Sequence, residues 1–415
     1  MYSFFLEFIN RKLNINAHYF FHGGFWLTLA QGISILFGLL TTALFARYLS
    51  LENYGVYRYL ISLAALFSAF SLTGIGQAIL QTAAKKYYSF YEETLNVNFI
   101  FNLGVTLSSA SASIYYWWQG NNTLAIGCFI MALLQPIVNI FQYTPSFLQG
   151  DGRFRESTII QGVRTVVTSI GSIAVLFATK NILALFFTYL FINALVNAIT
   201  HLWYKPRNAT PTPPAVLNKY ITYAKNTSFR NVISSIASRA DSIFIFTQLG
   251  AAELAVYSIA TIIPEQIKGT FKNLASLLLP KYAAHEDEKT LLRSIPKRSE
   301  QVGLLLILIT VLYIVTAPYI CNLLFPKYSS AILYSQIYAL SFPAFVSLIP
   351  MTAIQSRLDE KTLHQINNQS TFVGLFLVLG LTTMFGVMGT IISRVLTRYI
   401  NSIYIYIKYF EVKTK

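Results

Sequence analysis

Long apolar runs recur along this chain, separated by short polar breaks. An α-helix rises 1.5 Å per residue, so about 20 mostly apolar residues cross the hydrocarbon core of a bilayer. The pattern predicts twelve such spans, with approximate limits 25–46, 54–80, 95–118, 124–148, 157–179, 182–203, 220–249, 251–279, 302–320, 330–355, 370–386 and 390–409. Pro136, Pro264, Pro318 and Pro343 fall inside spans and predict kinks, tolerable where neighbouring helices or water satisfy the freed carbonyls. The expected fold is an all-α membrane protein with about 12 transmembrane helices.

Composition agrees with that class. The 415 residues are 54% hydrophobic and 11% charged, outside the range of an ordinary soluble domain. A net charge of +15 would point to nucleic acid in a soluble protein, but here most of the charge sits in short loops between spans. With the N-terminus inside, the termini and inner loops hold 20 of the 31 Lys and Arg, against four outside: Arg47, Arg58, Lys180 and Lys327. That asymmetry places both termini in the cytoplasm. The aromatic, polar stretch 1–22 lacks a small-residue cleavage site and reads as a cytoplasmic segment rather than a signal peptide. Cys128 and Cys321 lie in or beside apolar segments, and the five histidines show no ligand spacing, so neither a disulfide framework nor a metal is expected. No cofactor is expected either.

The segment 204–218 contains Lys205-Pro206-Arg207 and Pro211-Thr212-Pro213-Pro214, which favours extended, semi-rigid backbone. It divides the chain into an N-terminal six-helix bundle (1–203), a cytoplasmic linker (204–218) and a C-terminal six-helix bundle (219–415). The halves echo each other: the stretch from Leu49 to Tyr57 aligns with Leu249 to Tyr257, each at the turn between a half's first and second spans. Such a duplication suits a transporter that rocks about a central site.

Seven basic residues fall within the spans: Arg164, Arg230, Arg239, Lys268, Lys272, Arg394 and Arg398. Only Asp241 and Glu265 lie at comparable depth. A basic side chain at the bilayer centre costs about 2.5–3.5 kcal/mol, so seven facing lipid would exceed a typical protein's whole stability. They must face water or one another. Helical phase gathers Arg230 and Asp241 on one stripe, and Glu265, Lys268 and Lys272 on another. Arg164 and Thr168 share a third stripe, Arg394 and Arg398 a fourth, while Arg239 falls on the face opposite Arg230 and is set apart. The excess of positive charge predicts an anion, and arginine's planar fork suits phosphate. The expected substrate site is therefore Arg164, Arg230, Lys268, Lys272, Arg394 and Arg398. Asp241 and Glu265 serve charge compensation or ion coupling, and pairing of Glu265 with Lys268 at i,i+3 is the structural alternative. Uncharged wet faces at Asn98 and Asn102, and at Gln135, Asn139 and Gln142, fit helix-to-helix hydrogen bonding as well as sugar contact.

Several local motifs carry a resemblance. The run from Leu44 to Gly55 (LFARYLSLENYG), Gly74-Ile-Gly76 followed by Ala83-Ala84-Lys85-Lys86, and Gln149-Gly-Asp-Gly-Arg-Phe154 are similar to turns of the multidrug/oligosaccharidyl-lipid/polysaccharide (MOP) exporter superfamily. The layout resembles its Wzx-type branch, the flippases of O-antigen repeat units. The resemblance implies two six-helix bundles, V-shaped around a central cationic cavity, in the bacterial inner membrane. It implies an undecaprenyl-diphosphate-linked oligosaccharide as substrate, membrane lipid as surroundings, and the repeat-unit polymerase and chain-length regulator as partners, with no nucleic acid and no enzymatic activity. The alternatives are a cation or drug antiporter of the same superfamily, whose cavity would need exposed acid, and a membrane polysaccharide polymerase. Such an enzyme would need larger outer loops than those here, whose acids are Glu52 and Glu253.

Overall fold

The computed structural model describes residues 17–206, 210–276, 288–356 and 360–414. Residues 207–209 of the expected linker and 277–279 of the eighth predicted span lie outside them. The first helices are α1 (Ala17–Tyr48), α2 (Leu51–Phe67), α3 (Ile75–Ala84), α4 (Phe90–Glu93) and α5 (Leu95–Trp118). Next come α6 (Asn122–Phe141), α7 (Thr144–Gly150), α8 (Phe154–Thr179), α9 (Ile182–Tyr204) and α10 (Pro214–Leu249). The remainder are α11 (Ala251–Ser276), α12 (Glu288–Leu324), α13 (Ser330–Ala339), α14 (Leu348–Ser356) and α15 (Glu360–Thr414). Among the described residues there is no strand.

Local chemistry sets many of the ends. Ser50 accepts from the Asn53 N–H at 3.2 Å, and Asn121 accepts from Leu124 N–H at 3.1 Å. Asn181 caps α9 by accepting from the N–H groups of Leu183 and Ala184. Each side chain satisfies a donor that the first turn leaves without an intrahelical acceptor. Gly386, at φ +58°, breaks α15 in the left-handed region that glycine adopts without strain.

Eight helices among the described residues are long and apolar enough to cross a membrane, or nine if the bent pair α2–α3 counts as one span. The expected twelve are not reached by length and apolarity, for two physical reasons. The seventh and eighth predicted spans are helical, as α10 and α11, but carry the charges that lower their apolarity. The eleventh and twelfth form one long helical segment interrupted at Gly386. Pro343 opens a 3-10 turn, Phe342–Ser347, that breaks the tenth span between α13 and α14. Large apolar side chains remain exposed along whole faces, as with Leu304, Leu308, Leu312 and Val315 on α12. In water such a face would be a liability; in hydrocarbon it is a solvated surface.

The chain forms two compact units, one of Phe25–Ile243 and another that includes Phe244–Lys415. The division between them falls inside α10. In the first unit the core gathers Leu72, Ile75 and Ile79 with Phe90, Tyr91, Phe147 and Leu148. Close approach there requires glycine: a Cβ on Gly150 would meet the Leu80 carbonyl oxygen at 2.3 Å, and one on Gly74 the Ala224 carbonyl oxygen at 2.5 Å. The Gly74 N–H also donates to Ser228 Oγ at 2.8 Å. Asp151 accepts from Lys86 Nζ at 2.9 Å and from the Tyr88 hydroxyl. Burial opposes its charge, yet the bonds from Tyr88 and Lys86 outweigh that and hold the carboxyl below its ordinary pKa. In the second unit, Leu306, Tyr313 and Ala317 of α12 pack on Ala339, Phe342 and Phe345.

Candidate functional site

Two polar constellations stand out, one in each unit. In the first unit, side chains of α1, α2, α6, α8, α9 and α10 line a cavity of about 770 Å³. That size encloses a drug-sized or short-oligosaccharide ligand. Three arginines line it, Arg58 of α2, Arg164 of α8 and Arg239 of α10, and among the described residues no aspartate or glutamate does. Hydroxyls and amides make up much of the rest, including Thr42, Ser68, Gln135, Asn139, Thr168 and Ser172.

These walls are held from behind. Arg164 Nη1 donates to Asn197 Oδ1 at 3.4 Å, and Asn197 in turn donates to the Val138 carbonyl at 3.1 Å. Gln135 Nε2 donates to Ser68 Oγ at 3.0 Å and to Asn139 Oδ1 at 3.1 Å. Asn139 is buried and donates to the same Ser68 hydroxyl at 3.2 Å. These uncharged positions therefore do two things: they tie α2 to α6, and they present polar atoms to the cavity. Asn98 and Asn102, by contrast, bond one another and helix carbonyls and do not line it.

The second unit places Glu265, Lys268 and Arg398 together. Lys268 Nζ donates to Glu265 Oε2 at 3.0 Å, and Arg398 Nη2 donates to Glu265 Oε1. Arg398 also donates to Ser341 Oγ at 2.6 Å and to the Tyr338 hydroxyl at 2.8 Å. Its guanidinium lies 4.5 Å from the Tyr338 ring centre and 5.2 Å from that of Phe345. Arg394 sits one turn earlier on α15, half-buried, and Lys272 is exposed one turn beyond Lys268. Here a carboxylate already occupies the place an incoming anion would take.

The remaining predicted site residues lie in the first unit. Arg230 is exposed on α10 and is not among the cavity's lining; Asp241 is buried two residues past Arg239. Of the six predicted cations, Arg164 alone lines the first unit's cavity. Arg58 and Arg239 had no place in the predicted site. Arg58 lies one turn inside its span and falls among the outer charges by position; Arg239 faces away from Arg230 by helical phase, yet Arg58 and Arg239 both reach the cavity. A chain from the half-buried Glu92 through the buried His201 and Tyr91 to Thr144 has no signal in the sequence either. His201 Nε2 lies 3.1 Å from Glu92 Oε1, and its Nδ1 lies 2.9 Å from the Tyr91 hydroxyl. Among the described residues no cluster of His, Cys, Asp or Glu could hold a metal ion.

Comparison with known proteins bears on this geometry. The family described as polysaccharide biosynthesis protein matches residues 44–333. No curated protein matches the sequence. Among solved structures, the lipid II flippase MurJ in an inward closed conformation is 15% identical, with a TM-score of 0.69 over 92% of this chain and 86% of that one. An inward-facing multidrug resistance MATE transporter of the MOP superfamily is 11% identical, with a TM-score of 0.70 over 92% and 94%. A MOP superfamily transporter from Pyrococcus furiosus, described as having a binding pocket of reversed polarity, is 12% identical, with a TM-score of 0.65 over 94% and 95%. At such identities the likeness is one of fold: this chain has the architecture of the MOP transporters.

Proposed function

The chain belongs to the polysaccharide biosynthesis protein family, and we propose that it is a flippase for lipid-linked oligosaccharides. In this reading it moves undecaprenyl-diphosphate-linked O-antigen or polysaccharide repeat units from the cytoplasmic to the periplasmic leaflet of the bacterial inner membrane. Both termini are cytoplasmic, the segment 204–218 acts as a hinge, and the repeat-unit polymerase and chain-length regulator work alongside it.

The observation that carries this reading is the first unit's cavity, with three arginines and, among the described residues, no acid in its lining. The shared fold does not separate flippases from drug antiporters, and the sign of the lining supports the flippase reading. An organic cation needs exposed carboxylate, whereas charge of one sign in a low-dielectric cavity draws an anion strongly. Arginine replaces the hydration that a diphosphate loses on leaving water, with directional bonds that water would otherwise supply. The hydroxyls and amides around it match sugar, while the lipid tail stays in the bilayer. In the second unit Glu265 neutralises part of the cationic cluster, so Arg398 and Lys268 serve first to hold α11, α13 and α15 together.

The test is the leaflet distribution of undecaprenyl-diphosphate-linked repeat units in cells lacking the gene, with and without its restoration. Accumulation on the cytoplasmic leaflet, reversed by the wild-type gene, is the expected result. A normal distribution with altered efflux of a cationic dye would replace this reading with the antiporter.

A further inference from the structure

Buried polar groups in folded proteins nearly always have a partner, so those that lack one need an explanation. Three such atoms belong to residues that line the first unit's cavity: the amide oxygen of Gln135, the hydroxyl of Thr168 and the Nε of Arg58. They come from three different helices, α6, α8 and α2.

The three differ in what they require. Gln135 is 8% exposed, and both hydrogens of its amide are already used, on Ser68 and Asn139. Its remaining capacity is that of an acceptor only. A phosphate or a carboxylate at neutral pH also offers acceptors only, so neither can satisfy it. A hydroxyl or an amide N–H can. Thr168 both donates and accepts, and it shares a stripe of α8 with Arg164, one turn away. Arg58 Nε is a cationic donor and suits an anion.

We propose that Gln135 and Thr168 form a neutral-sugar subsite, which recognises hydroxyl or acetamido groups of the glycan separately from the arginines that take its phosphates. This rests on the flippase reading and assigns the parts of one ligand to different walls of one cavity. It divides labour by chemistry: donors on the sugar meet Gln135 and Thr168, and acceptors on the diphosphate meet arginine. Leaving a polar group of such a site unpaired is what makes it discriminate.

The experiment measures binding to the purified full chain in detergent by calorimetry. One probe is a short-chain polyprenyl diphosphate carrying a single N-acetylhexosamine; the other carries a cyclohexyl group in place of the sugar, so charge is unchanged. The wild type is expected to bind the sugar probe about tenfold more tightly. Gln135→Met and Thr168→Val narrow that difference, whereas Arg58→Gln weakens both probes alike. Thr168 stands outside the Ser68–Asn139 network, so its variant reports on the subsite even if Gln135→Met loosens α6. A difference that persists in both variants overturns the subsite. Equal affinities in the wild type also overturn it but leave the flippase reading intact. Failure of the wild type to bind either probe overturns the flippase reading and the subsite with it.

Discussion

An arginine inside a membrane protein needs water, an acid or a ligand, and the two units answer that need differently. Arg398 has Glu265, Tyr338 and Ser341 around it and two aromatic faces beside it. Removing one partner of such a pair leaves charge uncompensated, at a cost of about 3–5 kcal/mol when fully buried. Glu265 is 39% exposed, so the loss in Glu265→Gln falls toward the lower end of that range. We expect a lower melting temperature in detergent for Glu265→Gln. An unchanged melting temperature would show that the cluster does not hold the unit together. At this scale the sequence was partly legible. The i,i+3 spacing announced the Glu265–Lys268 pair, but only the fold brings Arg398, 133 residues away, to the same carboxylate. Arg239 escapes for a related reason, since helical phase orders residues within one helix and says nothing about which face looks at a neighbour, while Arg58 falls among the outer charges by its place near the start of its span.

Among the helices, the turn motifs that carried the resemblance turn out to be contact points. Gly150 and Gly74 let helices approach to a distance no side chain would permit, and Asp151 gathers Lys86 and Tyr88 at the same end of the first unit. A Cβ at position 150 would press on backbone, which cannot move aside as a flexible side chain does. Gly150→Ala should therefore destabilise by about 1–3 kcal/mol, read as a drop in thermal stability of the purified protein. Gly32→Ala, where a Cβ meets nothing within 4 Å, is the control and should leave stability unchanged or raised. Equal melting temperatures for both variants would contradict this account of the packing. Apolar run length placed helices over all twelve predicted segments, because burial of backbone hydrogen bonds in lipid leaves few other solutions. It divides the last two spans at Gly386, the residue whose left-handed φ interrupts the helix.

For the whole molecule, fold alone does not decide function, and the proposal turns on charge. Proteins described as flippases and as multidrug transporters share this architecture, so the shape alone admits either cargo. The cavity of the first unit is lined by cations and neutral polar groups, and the proposed anionic, hydroxyl-rich ligand rests on that lining. The sequence discloses the excess of positive charge, but six candidates on four helices carry no record of which are already neutralised. The most direct measurement follows from that. Cells lacking the gene are complemented with a variant carrying Arg58→Gln, Arg164→Gln and Arg239→Gln, and the leaflet distribution of undecaprenyl-diphosphate-linked repeat units is compared with wild-type complementation at equal protein in the membrane. Loss of several charge-assisted bonds should slow export by more than tenfold and strand the repeat units on the cytoplasmic leaflet. Export at the wild-type rate would contradict the assignment of this cavity to the anionic head group.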